Sequence, residues 1–138
     1  LTYRDATELN QKVKEGIRRC LAEGFRKADL ALVSFHGRER SGLFPLESLG
    51  PHRLKTFTGR YDLLGQPVYS DGDLLLESVY RFKGQAAPAV VFAEIDFTAL
   101  DEKAVRKLFV GATRAMLKLV LVVSERAADR LAPLLSTD

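Results

Sequence analysis

The sequence predicts an α/β fold: a three-layer sandwich around a mostly parallel sheet. Three observations carry that expectation. Short apolar runs stand at Asp29–Phe35, Pro88–Ile95 and Leu119–Val123, the composition of strands buried on both faces. Segments with apolar residues at helical spacing lie between and beside them. The resulting order of strand, helix, strand, helix is the pattern that crossover connections fold onto a parallel sheet.

Each element follows from local signals. Leu1–Arg4 reads as an edge strand. Leu9, Val13, Ile17 and Leu21 recur at helical spacing, with Lys12, Lys14, Glu15, Arg18 and Arg19 between them. They predict a helix from about Thr7 to Glu23, closed by Gly24. After the Asp29–Phe35 strand, residues His36 to Pro51 are rich in turn formers and charges, with a brief helix expected around Ser41–Leu49. Arg53–Gly59, Gln66–Ser70 and Leu74–Tyr80 read as strands separated by Gly59, Gly65 and Asp71-Gly72-Asp73. Asp101 is a suitable N-cap for a helix reaching about Met116, whose core face would be Val105, Leu108, Phe109, Ala112 and Met116. Ser124 caps a last helix carrying Ala128, Leu131 and Leu135.

Composition narrows the classes. A chain of 138 residues with 46% hydrophobic and 28% charged residues suits one folded domain and excludes a disordered segment. No apolar run approaches the length of a membrane span, so no membrane partner is expected. The single cysteine, Cys20, forms no internal disulfide, which fits a reducing cytoplasm. The net charge of +3 permits a nucleic-acid partner without demanding one. The chain opens on Leu1, not Met, so a fragment of a larger chain or a processed product is the expectation. His36 and His52 stand alone in loops, without a second metal ligand at suitable spacing.

Two segments carry chemistry. The first is Ser78-Val-Tyr-Arg-Phe-Lys-Gly-Gln85, ahead of an apolar strand. Tyr80, Arg81 and Lys83 combine an aromatic face with cations, which suits stacking on a base and pairing with phosphate. Gly84 permits a tight turn or a close backbone approach. The plain alternative is a strand-to-helix turn with a solvated lysine. The second segment is Leu108-Phe-Val-Gly-Ala-Thr-Arg-Ala115. Arg114 points away from Ala112, among small residues that admit another surface, and its planar fork of donors suits phosphate. From pattern alone, an ordinary surface arginine ranks ahead of that reading.

The first segment resembles motif V of UvrD/Rep-like superfamily 1 DNA helicases, and the second resembles motif VI. Their order, separation and flanking strands fit the second motor domain of that family. The Leu21–Phe25 and Asp29–Val33 stretches, followed by Gly37–Ser41, are similar to the family's helix, glycine and strand lead-in. The resemblance implies a RecA-like fold of the P-loop NTPase type. It implies that Arg114 contacts the γ-phosphate of ATP as an arginine finger, that Thr113 sets the helix turn, and that Gly84 and Gln85 border the nucleotide. It places Ser78, Tyr80, Arg81 and Lys83 on nucleic acid, with Lys83 and Gly84 coupling that contact to the nucleotide site.

The match has departures. Ala86 stands where the family has the glutamate that holds the nucleotide sugar, and Met116 stands where a second arginine is common. The stretch between Ser41 and Ser78 is too short for the large subdomain that many relatives insert. Tyr3-Arg4 resembles the Tyr-Arg of motif IV, but its spacing to the Asp29 strand favours the edge-strand reading. No Gly-x-x-x-x-Gly-Lys-Ser/Thr loop is present, and Glu94 and Asp96 are misplaced for holding magnesium. The chain alone is therefore expected to bind ATP weakly and to hydrolyse none. ATP and Mg²⁺ would be held with an upstream RecA-like domain of the same protein, and single-stranded or duplex DNA is the expected partner. The alternative is a nucleic-acid or protein binding module with a retained helicase-like fold. A stand-alone small enzyme is disfavoured, since no catalytic dyad or triad emerges.

Overall fold

The computed structural model describes residues 1–82 and 84–135. In chain order the elements are β1 (Thr2–Tyr3), α1 (Ala6–Ala22), β2 (Leu30–Ser34), β3 (Ser48–Leu49), β4 (His52–Lys55), β5 (Phe57–Tyr61), β6 (Pro67–Tyr69), β7 (Leu74–Ser78), β8 (Ala87–Ile95), α2 (Glu102–Ala112), β9 (Ala115–Ser124) and α3 (Glu125–Leu135). A seven-stranded sheet runs in the order β1-β9-β8-β2-β7-β4-β3, and only its β3–β4 pairing is antiparallel. The strands β5 and β6 form a separate antiparallel hairpin.

Side-chain alternation along the strands explains the layers. Leu30, Leu32, Ala89, Val91, Val120 and Val122 face one way, onto Leu9, Val13, Ile17 and Cys20 of α1. Ala31, Val33, Val90, Phe92 and Val123 face the other way, onto Ala104 of α2 and Ala127 of α3. Helices thus cover both faces, and the central strands read as continuous apolar runs because neither face meets water. Full burial of a side chain such as Ile17 contributes about 1.5–3 kcal/mol.

The helix ends are encoded locally. Asp5 accepts from the Glu8 backbone N–H at 2.8 Å to cap α1, and Asp101 accepts from Ala104 N–H at 2.8 Å to cap α2. At the other end of α1, Gly24 takes φ +100°. There Phe25 N–H donates to the Cys20 carbonyl and Gly24 N–H to that of Leu21, which satisfies two orphan carbonyls. Ser124 Oγ accepts from Ala127 N–H at 3.2 Å and so caps α3.

Three local expectations need correction. No helix forms over Ser41–Leu49; the segment turns and ends in β3. Ser41 Oγ accepts from Leu43 N–H at 3.0 Å, a local bond that competes with helical pairing, and Pro45 offers no N–H. The Arg53–Gly59 strand breaks at Thr56, whose N–H donates to Ser70 Oγ at 3.0 Å, so β5 leaves the main sheet. The helix expected to reach Met116 stops at Ala112, and its buried stripe is Ala104 and Gly111, with Leu108 half-buried. Val105, Phe109 and Met116, expected in the core, are 48%, 69% and 68% exposed. Both stripes are apolar enough to bury. The smaller one wins because Gly111 lies against the Phe92 ring, where a side chain would not fit.

Candidate nucleic-acid and nucleotide edges

The parallel strands β2 and β7 are paired Ser34 with Ser78, so both end on the same edge of the sheet. Ligands of open α/β sheets gather at that carboxyl edge. Ser78 is buried, and its hydroxyl accepts from Arg81 N–H at 3.2 Å, so it shapes the turn that presents the next two residues. Tyr80 is 52% exposed. Its ring lies over Gly37, and the Lys107 ammonium sits 5.3 Å from the ring centroid. Arg81 lays its guanidinium 3.9 Å above the Phe57 ring and places Nε 3.4 Å from Glu77 Oε1. Glu77 is buried and also accepts from the Tyr69 hydroxyl at 2.9 Å. Arg81 therefore ties the β5–β6 hairpin to the sheet while its side chain stays 39% exposed. Lys83 lies outside the described residues.

The opposite, amino-terminal edge holds Thr113 and Arg114, and Gly84 and Gln85 lie in the turn that leads to it. The strands β8 and β9 begin side by side, Ala87 with Ala115, and Ala87 N–H donates to the Arg114 carbonyl at 3.1 Å. Gly84 takes φ +84°, a left-handed turn that favours glycine. Gln85 is exposed just before β8, with Nε2 donating to the Arg81 carbonyl at 3.1 Å. Thr113 closes α2: its hydroxyl donates to the Phe109 carbonyl at 2.8 Å. Arg114 is half-buried beyond the helix end, and its Nε donates to the Val110 carbonyl at 3.0 Å. It forms no ion pair among the described residues. Its expected place within the helix, opposite Ala112, is thus corrected to the turn after it.

The chain accordingly places Thr113 and Arg114 on one edge and Ser78 and Tyr80 on the other, while Arg81 and Gln85, bonded to each other, lie in the segment between them. Along the sheet the two edges lie roughly 20 Å apart, the span of six strand residues. The segment joining them is Val79–Ala86.

The carboxylates after β8 are already committed. Asp96 accepts from Ser124 Oγ at 2.6 Å and from Arg126 at 2.7 and 2.8 Å. The Arg126 guanidinium holds its carboxyl below the usual aspartate range. Glu94, only 3% exposed, accepts from Ser34 Oγ at 2.7 Å, from Gly42 N–H at 2.8 Å and from Ser41 Oγ. No group of three metal-ligating side chains occurs among the described residues. Burial pushes the imidazole of His36 below the usual histidine range, and the same holds for His52. No described helix is long and apolar enough to cross a membrane. Sequence reasoning set Glu94 aside and passed over Arg38, Arg40, Lys103 and Lys107, which line the groove beside Tyr80. Their spread over two distant segments left no local signal.

Residues 73–122 match the model of the UvrD-like helicase C-terminal domain. That span runs from β7 to β9 and includes both edges described above. The fold is similar to a crystal structure of the C-terminal domain of a possible DNA helicase from Lactobacillus plantarum WCFS1, with a TM-score of 0.61 and 14% identity over 89% of this chain and 71% of that one. Comparison with curated proteins gives no significant match.

Proposed function

We propose, from the UvrD-like helicase C-terminal match of residues 73–122, that this chain is the second, RecA-like motor domain of an ATP-dependent superfamily 1 DNA helicase or translocase. The whole of residues 1–138 then forms one domain, partnered by an upstream RecA-like domain of the same protein. The observation that carries the reading is Arg114. It is a half-buried arginine anchored through Nε to the helix end, without an ion pair among the described residues, just before β9. An arginine fixed in this way presents a preorganised fork to an anion.

The residues fit the phosphate end of ATP. Arg114 would meet the γ-phosphate, Thr113 would hold the turn that orients it, and the backbone of Gly84 and Gln85 would border the nucleotide. They do not fit the sugar, because Ala86 offers no acceptor. Bound ATP supplies the phosphoryl-transfer chemistry. This chain contributes positive charge placed where negative charge develops. Exposed Phe109, Met116 and Leu117 flank the same edge, which suits coverage by a second body. The phosphate-cradling loop and the carboxylates for Mg²⁺ belong to that body in this reading. Tyr80 would meet single-stranded DNA at the other edge, with Arg81 and Lys83 supplying further charge, and Val79–Ala86 would carry the coupling between the edges. The missing carboxylate at Ala86 favours, as a second reading, a binding module that keeps the fold without the motor.

The test is ATP hydrolysis by the complete protein with and without single-stranded DNA, beside Arg114→Ala. The motor reading expects DNA-stimulated turnover that the variant loses with its fold intact. Hydrolysis by neither protein, with DNA binding retained, establishes the binding module instead.

A further inference from the structure

We propose that the loop from His36 to Gly42, clamped by buried Glu94, forms with two lysines of α2 a second nucleic-acid site that grips the sugar-phosphate backbone beside Tyr80. The inference rests on the reading of Tyr80 and Arg81 as a nucleic-acid face and adds residues that the reading does not include.

The connections at the carboxyl edge diverge from one point. The exit of β2 leads toward β3 and β4, whereas the exit of β8 leads toward α2 and β9. Such a divergence opens a crevice between neighbouring strands, the usual ligand position in open α/β sheets. Here Glu94 fills the crevice. It sits in a bulge: Phe92 pairs with Leu121 and Ile95 with Val123, so β8 carries one extra residue. Glu94 has φ +58°, a left-handed conformation that bulky residues rarely adopt. The bulge aims a carboxylate that the strand's alternation would otherwise direct elsewhere. That carboxylate bonds Ser34 Oγ at the end of β2, Ser41 Oγ and the backbone N–H of Gly42. Two of its three partners belong to the loop, so Glu94 fixes the loop's far end to the sheet.

The loop's near end is fixed as well. His36 N–H donates to Ser34 Oγ at 3.1 Å, and Gly37 packs under the Tyr80 ring. Between the two anchors, Arg38 and Arg40 are exposed. They line a groove with Tyr80 and Arg81, closed on its far side by Lys103 and Lys107. The Lys107 ammonium lies 4.1 Å from the centroid of the Phe35 ring and 5.3 Å from that of Tyr80, so its charge is held at the groove wall. Among the described residues lining this groove, Glu39 is the one carboxylate, against five arginines and lysines. A groove with that charge balance and one half-exposed aromatic ring suits a strand of unpaired bases. The cations track the backbone while a base stacks on the ring. Glu94 touches none of this ligand; it is a positioning residue for Arg38 and Arg40.

The experiment titrates the complete protein with fluorescently labelled oligothymidylate and oligouridylate, over a series of salt concentrations. Lys103→Ala changes an exposed side chain, and Lys107→Ala, which loses a contact with the Phe35 ring, is checked for folding by thermal melting. Each is expected to weaken binding and to reduce the slope of log K against log salt by about 0.7, the release expected for one lost phosphate contact on a single strand. Glu94→Gln is expected to reduce the slope as much as the Arg38→Ala/Arg40→Ala pair, and to add nothing on top of that pair. Ser41→Ala, a milder disturbance of the same clamp, is expected to move the slope in the same direction. Preference between the two oligonucleotides tells which nucleic acid the groove takes. Failure of the wild-type protein to bind either one overturns the reading of Tyr80 and Arg81 together with this inference. Binding that Tyr80→Ala weakens, with unchanged slopes in the lysine variants, overturns the second site alone. A Glu94→Gln effect fully additive with the arginine pair overturns the positioning role.

Discussion

Arg114 Nε donates to the Val110 carbonyl at 3.0 Å, across the end of α2. A cation at a helix C-terminus is favourable in itself, since it meets carbonyls that lack partners within the helix. The bond therefore has a structural role and an orienting one, and substitution separates them. Loss of the bond costs about 0.5–1.5 kcal/mol, within the reach of a stable domain. Arg114→Lys keeps the charge and loses the planar fork. We expect Arg114→Lys to remain folded by thermal melting and to lose DNA-stimulated ATP hydrolysis nearly as completely as Arg114→Ala. Wild-type turnover in the lysine variant would show that charge alone suffices and that the fork is irrelevant.

Gly111 provides a test of packing at the same helix end. A Cβ at this position would stand 2.2 Å from two atoms of the Phe92 ring. Phe92 is fully buried, in the middle of β8, and cannot swing aside without displacing its neighbours. Helix propensity alone favours alanine over glycine by about 1 kcal/mol. Overpacking costs about 1–3 kcal/mol, occasionally more, and here the ring is trapped. The expected outcome of Gly111→Ala is net destabilisation, visible as a lower denaturant midpoint with an unchanged slope. A rise in the midpoint would mean that α2 can lift off the sheet.

Much of this fold could be read from the residues, for reasons that Leu119–Val123 and α1 illustrate. A strand buried on both faces has no choice but continuous apolar sequence. The first helix carries its periodicity, its Asp5 cap and its Gly24 stop within one local stretch. The second helix was harder because Val105/Phe109 and Ala104/Leu108/Gly111 are adjacent stripes, both apolar. Only the Phe92 ring, reached through tertiary packing, decides between them. Similarly, contiguous motifs single out Tyr80 and Arg114 as candidates. The clamp at Glu94 was not, because its partners Ser34 and Ser41 are 60 and 53 residues away.

Glu77, Tyr69 and Arg81 offer a test of how the hairpin is held. Glu77 is 1% exposed, and its Oε1 has no hydrogen-bond partner among the described residues, which leaves the long Arg81 contact at 3.4 Å as its compensation there. Among the described residues, the Tyr69 hydroxyl gives the one hydrogen bond that its other oxygen receives from a side chain. Tyr69→Phe removes that donor and leaves a buried carboxylate less satisfied, at a cost of about 1–3 kcal/mol. We expect a fall in stability of that order, together with faster hydrogen exchange across β5 and β6. If Glu77→Gln alone stabilises the protein and makes Tyr69→Phe neutral, the buried charge is the destabilising element. If both variants destabilise and their effects are strongly non-additive, the three groups act as a unit.

Stability should also depend on pH near neutrality, through the two histidines. Burial is the largest cause of the lowered value at His36, and Lys107 adds to it; burial likewise leads at His52, with Lys27 adding. In the unfolded chain a histidine titrates near 6.5. Above that value both states are neutral, and the histidines contribute no pH dependence. As the pH falls through about 6.5, the unfolded chain takes up protons that the folded chain resists, so stability drops until the folded values are passed. The carboxylates act lower: Asp96, held down chiefly by Arg126, loses its contribution only as the pH falls below the ordinary aspartate value of about 3.9. The histidines should therefore lower the denaturant midpoint as the pH falls below about 6.5, and the midpoint should fall again in stronger acid. Gln at both histidine positions should flatten the first decline and leave the second in place. A wild-type midpoint that stays level from pH 7 to pH 5 would show that both imidazoles reach water in the folded protein.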